Sequence, residues 1–203
     1  MQYSTFAAID IGSYDVILEI FEISKKQGIR SVDKICHRME LGKDTYTLGK
    51  IRPEMEEELC RVLADFVRIM EGYRVDDYRA TASSAISEAS NSLYVLGKIH
   101  QLTGLSVTVL SNSEQRFLSY KALAAMEDNF NKIIEKGTAI LDLDGGSFQI
   151  SLFDKDALVT TQNIRMGSLR IRERLAGIQS ETEHYEEMVE ELIWNEVSSF
   201  KKM

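Results

Sequence analysis

The chain has 203 residues, of which 44% are hydrophobic and 28% charged, and its formal net charge is −8 at pH 7. This composition is typical of a soluble globular protein with one large domain or two small ones. The negative charge argues against nonspecific nucleic-acid binding, and no apolar stretch reaches membrane-spanning length, so we expect neither partner. Cys36 and Cys60 show no disulfide or metal-binding pattern, which favours a cytoplasmic location.

The first third of the chain predicts three strands and a long helix. Residues 5–24 indicate two strands joined by a turn, and a third strand is expected over roughly 30–41. Three antiparallel strands in a row are typical of the start of an α/β domain and not of a simple βαβ unit. Pro53 stands where a first helical residue belongs, and apolar residues then recur at helical spacing up to Gly72.

The middle of the chain continues the α/β pattern. A strand is expected over 77–82, followed by a stretch of small residues. Asn91 is predicted to cap a helix that ends at Gly104. We expect the apolar face of this helix to carry Leu93, Leu96, Ile99 and Leu102. A buried strand is predicted from Leu105 to Leu110.

The remainder predicts a second group of elements. Ser111 and Glu114 have the spacing of a capping box ahead of a helix that runs to about Met126. After a linker over 129–137, strands are expected near 138–143, 147–154 and 157–164, and a short helix after Gly167. Ser180 and Glu183 repeat the capping-box spacing before a last amphipathic helix. Trp194 on this helix is expected to pack in a core, and a partner interface is the alternative. The predicted lobes are 1–128 and 129–203.

One kind of turn occurs twice in this pattern. An Asp at the end of a strand, followed by Gly and Ser, is found at Asp10–Ser13 and again at Asp142–Ser147. Gly lets a phosphate oxygen approach backbone N–H groups, Ser adds a hydroxyl donor, and Asp can hold a metal ion or a water. Two such turns indicate two related lobes that bind phosphate.

The order of motifs resembles the Ppx/GppA family of exopolyphosphatases and guanosine pentaphosphate phosphohydrolases, within the actin-like superfamily of ribonuclease-H-like lobes. The resemblance covers residues 5 to about 175. The matching segments, in chain order, are Asp10–Asp15, Leu41-Gly42, Ser84–Asn91, Ser111–Gln115, Asp142–Gln149 and Gly167–Ile171. It implies an α/β fold of ribonuclease-H-like lobes, with a mixed sheet of three antiparallel N-terminal strands flanked by helices. The second lobe is expected to be incomplete.

The resemblance also implies a site, a cofactor and partners. The phosphate-binding positions would be Gly12, Ser13, Ser87, Gly145, Gly146, Ser147 and Arg170. The metal positions would be Asp10, Asp142 and Asp144, with Mg²⁺ as the ion, and the catalytic positions would be Glu114, Gln115, Asp142 and Gln149. The implied ligand is polyphosphate or a guanosine polyphosphate, and a homodimer is an open alternative to a monomer.

Several of these positions depart from the family pattern. The family's general base is a Glu at the position of Gln115, and an amide cannot accept a proton from water near neutral pH. Gln149 replaces a second acidic residue, and Asp144 replaces the middle Gly of the second turn. Ile17 and Ser87 stand where the family has arginine, which is the residue best suited to bind phosphate through two hydrogen bonds.

Two further positions have competing interpretations. Glu114 lies next to Gln115, but neighbouring helical residues point about 100° apart, so we favour a role for Glu114 in the capping box. The arginines near Gly167 indicate either a phosphate site or a solvated helix start whose charge is offset by Glu173. Those arginines are Arg165, Arg170, Arg172 and Arg174.

These observations leave two main functions open. The first is Mg²⁺-dependent hydrolysis of phosphoanhydrides, with catalysis lost or much reduced by the amide at Gln115. The second is a non-catalytic relative that senses a phosphate-rich ligand or binds a protein partner. An ATP-driven kinase or ATPase is the weakest hypothesis, because the chain has no adenosine-binding glycine turn.

Overall fold

The computed structural model of the protein describes residues 3–127, 129–176 and 184–200. The contacts within the chain divide it into two compact units. The first unit ends at Leu110 and the second begins at Ser111. Each unit is built on its own sheet. In the part of the chain that the structure describes, no helix combines the length and the apolar character needed to cross a membrane.

The first unit contains a mixed five-stranded sheet with the strand order β3-β2-β1-β4-β5. Strands β1 to β3 are antiparallel, whereas β4 runs parallel to β1 and β5 parallel to β4. The strands are β1 Ser4–Ile11, β2 Asp15–Ser24, β3 Gly28–Arg38, β4 Asp77–Ala82 and β5 Val107–Val109. The helices are α1 Leu41–Leu48, α2 Pro53–Tyr73, α3 Ser84–Ser87 and α4 Ser92–Thr103. The expected fold class, with three antiparallel N-terminal strands in a mixed sheet flanked by helices, is confirmed.

Strand alternation and one long amphipathic helix build the core of this unit. Alternate residues of β1 and β2 point to the same face, and Ile9, Ile11 and Leu18 there are at most 1% exposed. From the helical layer, Leu59 and Leu63 of α2 are fully buried in the same core cluster. Full burial of such a side chain contributes about 1.5–3 kcal/mol. Cys60 belongs to this cluster, as its place in the helical stripe predicts.

The predicted apolar face of α4 is wrong at its ends. Leu93 and Leu102 are 84% and 58% exposed, whereas Val95 and Ile99 are buried. A strict spacing of three residues drifts around a helix with 3.6 residues per turn, so the two ends of that row cannot share one face. The expected cap also differs, because the Asn91 side chain bonds the backbone of Ile51 and makes no capping bond.

The second unit contains an antiparallel sheet with the order β6-β7-β8. Its strands are β6 Thr138–Leu143, β7 Phe148–Asp154 and β8 Ala157–Ile164, and its helices are α5 Asn112–Met126, α6 Phe130–Ile134, α7 Ser168–Leu175 and α8 Tyr185–Phe200. The three strands and the end of α5 agree with the sequence. The predicted capping box of Ser180 and Glu183 lies outside the described residues.

The contacts of α5 explain why the units divide where they do. The Tyr120 hydroxyl donates to the Ser151 hydroxyl on β7 at 2.5 Å, and its ring meets Phe153 edge-on with centroids 5.2 Å apart. Helix α5 therefore packs with the second sheet, and the contact division falls before it. The sequence analysis predicts a later lobe boundary, between residues 128 and 129. This boundary remains a prediction.

Two other expectations for this unit are corrected. The segment predicted as a linker contains α6, whose Ile134 is 7% exposed and anchors the helix. Trp194 on α8 is 60% exposed, so it does not pack in a core. The buried cluster here is small, with Ile150, Ile164 and Met166 at its centre.

Candidate functional site

The second turn places two carboxylates at one end of the second sheet. Asp142 near the end of β6 lies directly opposite Gln149 of β7 in the strand register. Beyond the end of β6, the Asp144 backbone N–H donates to the Ser147 carbonyl at 2.9 Å and closes the turn. The Asp144 side chain turns back on the same loop, where its Oδ1 accepts from the Gly145 N–H at 2.5 Å.

Helix α5 contacts both carboxylates from one face. The Ser119 hydroxyl donates to Asp142 Oδ2 at 3.0 Å, and the Gln115 side chain lies near enough to the Asp144 carboxyl group to lower its pKa. Four residues along a helix span about 6.0 Å, and two residues along a strand span about 6.7 Å. Positions 115 and 119 therefore match positions 144 and 142 in spacing, and one helix face can lie beside both carboxylates.

A second row on α5 holds the helix on the sheet. Tyr120 donates to Ser151, whose hydroxyl lies 3.2 Å from that of Thr161 on β8. Arg116 donates to the same Thr161 hydroxyl at 3.2 Å. Ser151 is fully buried, so these bonds satisfy a polar group that water cannot reach. The contacts of Arg116 and Tyr120 thus fix the position of α5 on the sheet, and with it the positions of Gln115 and Ser119 relative to the second turn.

The environment of Asp144 raises the pKa of its carboxyl group above the ordinary value of 3.8. Burial is the largest cause, because it penalises the charged form, and the nearby Asp142 charge acts in the same direction. The hydrogen bonds from the Gly145 N–H and from Gln115 favour the charged form and oppose the rise. The charged form of the half-buried Asp144 carboxyl group is therefore stabilised by its hydrogen-bond donors and destabilised by burial.

The glycines of the second turn pack directly against the start of α7. The Gly145 carbonyl accepts from the N–H groups of Leu169 and Arg170 at 3.0 and 3.1 Å, and the Asp144 carbonyl accepts from Ser168 at 3.0 Å. A Cβ on Gly167 would lie 2.3 Å from the Asp144 carbonyl oxygen, so this approach requires glycine. The first N–H groups of α7 are thereby bonded to the turn.

The expected phosphate-binding residues of this turn have specific protein contacts. Arg170 Nε donates to the Gly146 carbonyl at 3.0 Å, so this arginine braces the turn backbone. The Ser147 hydroxyl accepts from Asn163 at 3.2 Å, and Gly145 and Gly146 are buried. Arg172 pairs with Glu173 at 2.9 Å, which supports the interpretation that Glu173 offsets the arginines near Gly167.

The first turn lies in the other unit and uses its expected residues structurally. The Gly12 N–H donates to the Asp15 carbonyl at 3.0 Å, and a Cβ on Gly12 would lie 2.9 Å from that oxygen. Ser13 is fully buried, and its hydroxyl lies 2.7 Å from that of Tyr46 and 3.1 Å from that of Ser84. The phosphate role of Gly12 and Ser13 stays a prediction, and the Ser13 hydroxyl already has two partners.

Two other expected site residues occupy exposed positions. Asp10 is an exposed residue of β1, and Ser87 is exposed at the end of α3. Their proposed roles, metal for Asp10 and phosphate for Ser87, also remain predictions.

Glu114 has the structural role that the spacing favours. Its Oε2 accepts from the Ser111 N–H at 2.9 Å, and the Ser111 hydroxyl accepts from the Glu114 N–H at 3.2 Å. This reciprocal pair is a capping box at the start of α5. The carboxylate of Glu114 thus serves the helix start.

The carboxylates do not form a built metal site. Among the described residues, no group of three or more His, Cys, Asp or Glu side chains could hold a metal ion. Asp142 already accepts a hydrogen bond from Ser119, and Asp144 accepts one from Gly145. Mg²⁺ is commonly held by one or two carboxylates together with the phosphates of a substrate, so an ion here would have to arrive with its ligand.

Sequence reasoning missed the residues that connect α5 to the sheet. Ser119 and Tyr120 are ordinary helix residues in the sequence, and Ser151 and Thr161 are ordinary strand residues. The spacing of Ser119, one helical turn beyond Gln115, is the signal that could have identified it. Ser151 carried no such signal, because its burial depends on the packing of α5.

The chain is similar to known phosphatases. A family model described as the Ppx/GppA phosphatase family matches residues 19–203. A bifunctional 3-dehydroquinate synthase/phosphatase of Fusobacterium nucleatum is 22% identical over 174 residues, which cover 83% of this chain and 26% of that protein. Exopolyphosphatase 1 of Mycobacterium leprae is 25% identical over 144 residues, which cover 70% of this chain and 41% of that protein. The chain thus spans about a quarter to two-fifths of the length of these relatives.

The solved structures agree on the fold. The crystal structure of the Aquifex aeolicus Ppx/GppA family member matches with a TM-score of 0.72 at 23% identity, over 98% of this chain and 63% of that one. This likeness confirms the expected actin-like arrangement of the α/β elements.

Proposed function

The chain belongs to the Ppx/GppA phosphatase family, and from this membership we propose that the protein hydrolyses phosphoanhydride bonds of inorganic polyphosphate or guanosine pentaphosphate. The observation that carries this proposal is the position of Asp142 and Asp144 at the second turn, where Asp142 accepts a hydrogen bond from Ser119 on α5. We further propose that hydrolysis by the usual family route is much reduced, because Gln115 offers an amide where that route uses a carboxylate.

The proposed reaction needs little covalent chemistry from the protein. Phosphoryl transfer depends mainly on positioning the attacking water and on neutralising the charge of the phosphates. In this proposal Asp142, whose carboxylate accepts a hydrogen bond from Ser119, orients a water at the end of β6. Mg²⁺ bound to the phosphate chain would neutralise part of its charge. We further propose a cytoplasmic location, where the ligand would be present as its Mg²⁺ complex.

A non-catalytic function is the second candidate. Gln115 cannot act as a base, which favours a protein that binds a phosphate-rich ligand or a protein partner without hydrolysing it. Loss of a general base typically costs about 10²–10⁴-fold in rate, which is enough to leave a sensor with negligible turnover. Binding without release of phosphate would distinguish this candidate from a weak hydrolase.

The test uses the protein expressed from its full reading frame. Phosphate release is measured with polyphosphate and with guanosine pentaphosphate in the presence of Mg²⁺, and binding is measured by calorimetry at low salt. Slow release that is lost in Asp142→Asn supports the hydrolase, with Asp154→Asn as the control, because Asp154 is exposed at the far end of β7. Heat of binding without release supports the sensor, and the absence of both would contradict the proposed function.

A further inference from the structure

The second unit repeats the order of elements that begins the first unit. In each unit three antiparallel strands follow one another, a glycine turn connects the first two strands, and a short helix and then a long helix follow. Residues 54–59 of α2 and residues 187–192 of α8 also share the sequence Glu-Met-X-Glu-Glu-Leu, in which only the third residue differs. Strand β6 is therefore the counterpart of β1, and α8 is the counterpart of α2.

The first unit has a strand and a helix that the described part of the second unit lacks. Strand β4 pairs parallel with β1, and α4 packs against α2. These two elements close the core, because their buried residues belong to the same cluster as Ile9 and Ile11 of β1. The buried residues of β4 and α4 are Ala80, Ala82, Val95 and Ile99. Among the described residues of the second unit, β6 has β7 as its one neighbouring strand, so the other edge of β6 is open.

The open edge of β6 exposes apolar side chains. Leu141 and Leu143 are 62% and 63% exposed. Their counterparts in β1, Ile9 and Ile11, are at most 1% exposed. Residues 138–143 include no Lys, Arg or Pro, with which natural proteins commonly protect a free edge. The edge of β6 is thus suited to accept a further strand.

The exposed face of α8 continues this open side. Ile193 is 40% exposed, whereas its counterpart on α2, Cys60, is 5% exposed. A cavity of about 380 Å³ lies between α8 and the second sheet. Leu143 and Phe148 line it from the sheet, and Ile193 and Val197 line it from the helix. The edge of β6 and the exposed face of α8 therefore border the same apolar space.

Carboxylates border this face of α8. Glu186 and Glu190 line one groove together with Ile193, and every charged residue of α8 is a glutamate. In the first unit the corresponding contact between helices includes an ion pair, in which Lys98 Nζ of α4 lies 3.4 Å from Glu56 Oε2 of α2. A helix that has an apolar face with Lys or Arg beside it is thus complementary to α8.

We propose that the edge of β6 and the exposed face of α8 together form a docking surface for a strand–helix segment of a partner polypeptide. The strand of the partner adds parallel to β6, with small residues beside Leu141 and Leu143, as β4 places alanines beside β1. Its helix lays an apolar face on Ile193 and places a Lys or Arg near Glu190. Strand addition to a sheet edge and binding of a helix in a groove are both common modes of peptide recognition.

A second copy of the chain does not supply this segment from its described residues. Each described strand already belongs to one of the two sheets, and β4 and α4 are packed in the core of the first unit. Pairing of β6 with β6 across a two-fold axis would bring the strands together antiparallel and not parallel. Docking at this surface does not require hydrolysis at the second turn, so the two proposals can fail independently.

The test uses Trp194, the only tryptophan of the chain, as a fluorescent reporter on α8. The probe is a synthetic peptide of residues 76–104, which contains β4 and α4 and has no tryptophan. We expect the peptide to shift the Trp194 emission to shorter wavelength and to reduce its quenching by acrylamide, both in a saturable manner. Fusion of the same peptide to the protein through a Gly/Ser linker raises its effective concentration to about the mM range, so that weak binding is also detected.

Matched variants locate the binding. Ile193→Glu in the protein places a charge on the apolar face of α8 and should weaken binding by about tenfold or more. Leu93→Glu in the protein is the control, because Leu93 is 84% exposed in the first unit. Lys98→Glu in the peptide tests the same contact without changing the protein, and we expect it to weaken binding by about 3- to 5-fold. Circular dichroism checks that each variant is folded.

Three results would overturn the proposal. Trp194 emission that changes neither with the peptide nor in the fusion would show that α8 docks no such helix. Equal binding by the wild type and by Ile193→Glu would place the peptide elsewhere on the protein. Trp194 emission that depends on protein concentration alone, together with a dimer in sedimentation velocity, would assign the surface to a second copy.

Discussion

The Ser119 hydroxyl on α5 donates to Asp142 Oδ2 near the end of β6 at 3.0 Å. This bond ties the helix that carries Gln115 to the strand that leads into the second turn. Gln115 lies one helical turn before Ser119, and its side chain acts on the Asp144 carboxyl group to lower the pKa that burial raises.

The single variant Gln115→Glu should destabilise the protein. It places a second carboxylate near the half-buried Asp144, whose charged form burial already disfavours, so the two charges should repel. Urea unfolding measures the loss of stability. In the Asp144→Gly background the same change should cost far less, and equal costs in both backgrounds would show that the two side chains do not interact.

The charge of Asp144 should lower stability at neutral pH. Because the folded-state pKa of Asp144 is raised above its ordinary 3.8, the ionised group opposes folding at pH values above that folded pKa. The opposition fades as the pH falls through the folded pKa toward the ordinary value, since the native state then takes up the proton first. Asp144→Asn should therefore be more stable than the wild type at neutral pH, and urea unfolding should show this advantage shrinking in acid. An advantage that grows in acid would contradict the direction of the shift.

Gly167→Ala should disrupt the second turn. Its Cβ would lie 2.3 Å from both the Asp144 carbonyl oxygen and the Gly145 carbonyl carbon, so the turn backbone must move. Such overpacking costs about 1–3 kcal/mol, and urea unfolding followed by circular dichroism would measure it. Gly137→Ala is the matched control in the same unit, because no atom lies within 4 Å of its Cβ position. Equal effects of the two variants would exclude the close packing of Gly167 as the cause.

Tyr46→Phe should weaken the first turn by a small amount. The Tyr46 hydroxyl lies 2.7 Å from that of Ser13 and 2.9 Å from that of Ser84, so its removal leaves these two serines with each other. A hydrogen bond of this kind contributes about 1 kcal/mol, which thermal or urea unfolding can resolve. Tyr3→Phe is the control, since Tyr3 is 58% exposed. An equal loss of stability in Tyr46→Phe and Tyr3→Phe would show that the hydrogen bonds of the Tyr46 hydroxyl do not stabilise the protein.

The two thiols should differ in reactivity. Cys36 is exposed and Cys60 is 5% exposed, so one thiol per native chain should react with a maleimide and both should react after denaturation. Desolvation raises the pKa of Cys36 above the ordinary 9.0, and the charge of Asp15 adds to the rise. The thiolate fraction is thus lower at any given pH, so Cys36 should react more slowly than a free cysteine at pH 8 and faster as the pH rises. Mass spectrometry of the labelled protein would show the order, and fast labelling of Cys60 would contradict its burial.

Local patterns in the sequence predicted the elements but not all of their faces. The long helix from Pro53, the β6 to β8 strands and the capping box of Ser111 and Glu114 were predictable, because each depends on residues close together in the chain. The exposed ends of α4 and the exposed Trp194 were not. Which apolar side chains become buried depends on the partner surface, and the sequence pattern of one helix does not contain that surface.

The sequence alone determined the family, the two glycine turns and the residues that depart from the family pattern. Only the tertiary structure decided that Ser119 donates to Asp142, and that the Ser13 hydroxyl is buried against Tyr46 and Ser84. The physical reason is distance along the chain. A turn follows from neighbouring dihedral preferences, whereas these contacts exist because α5 is held on the second sheet by Tyr120 and Arg116, and α1 and α3 meet at the first turn.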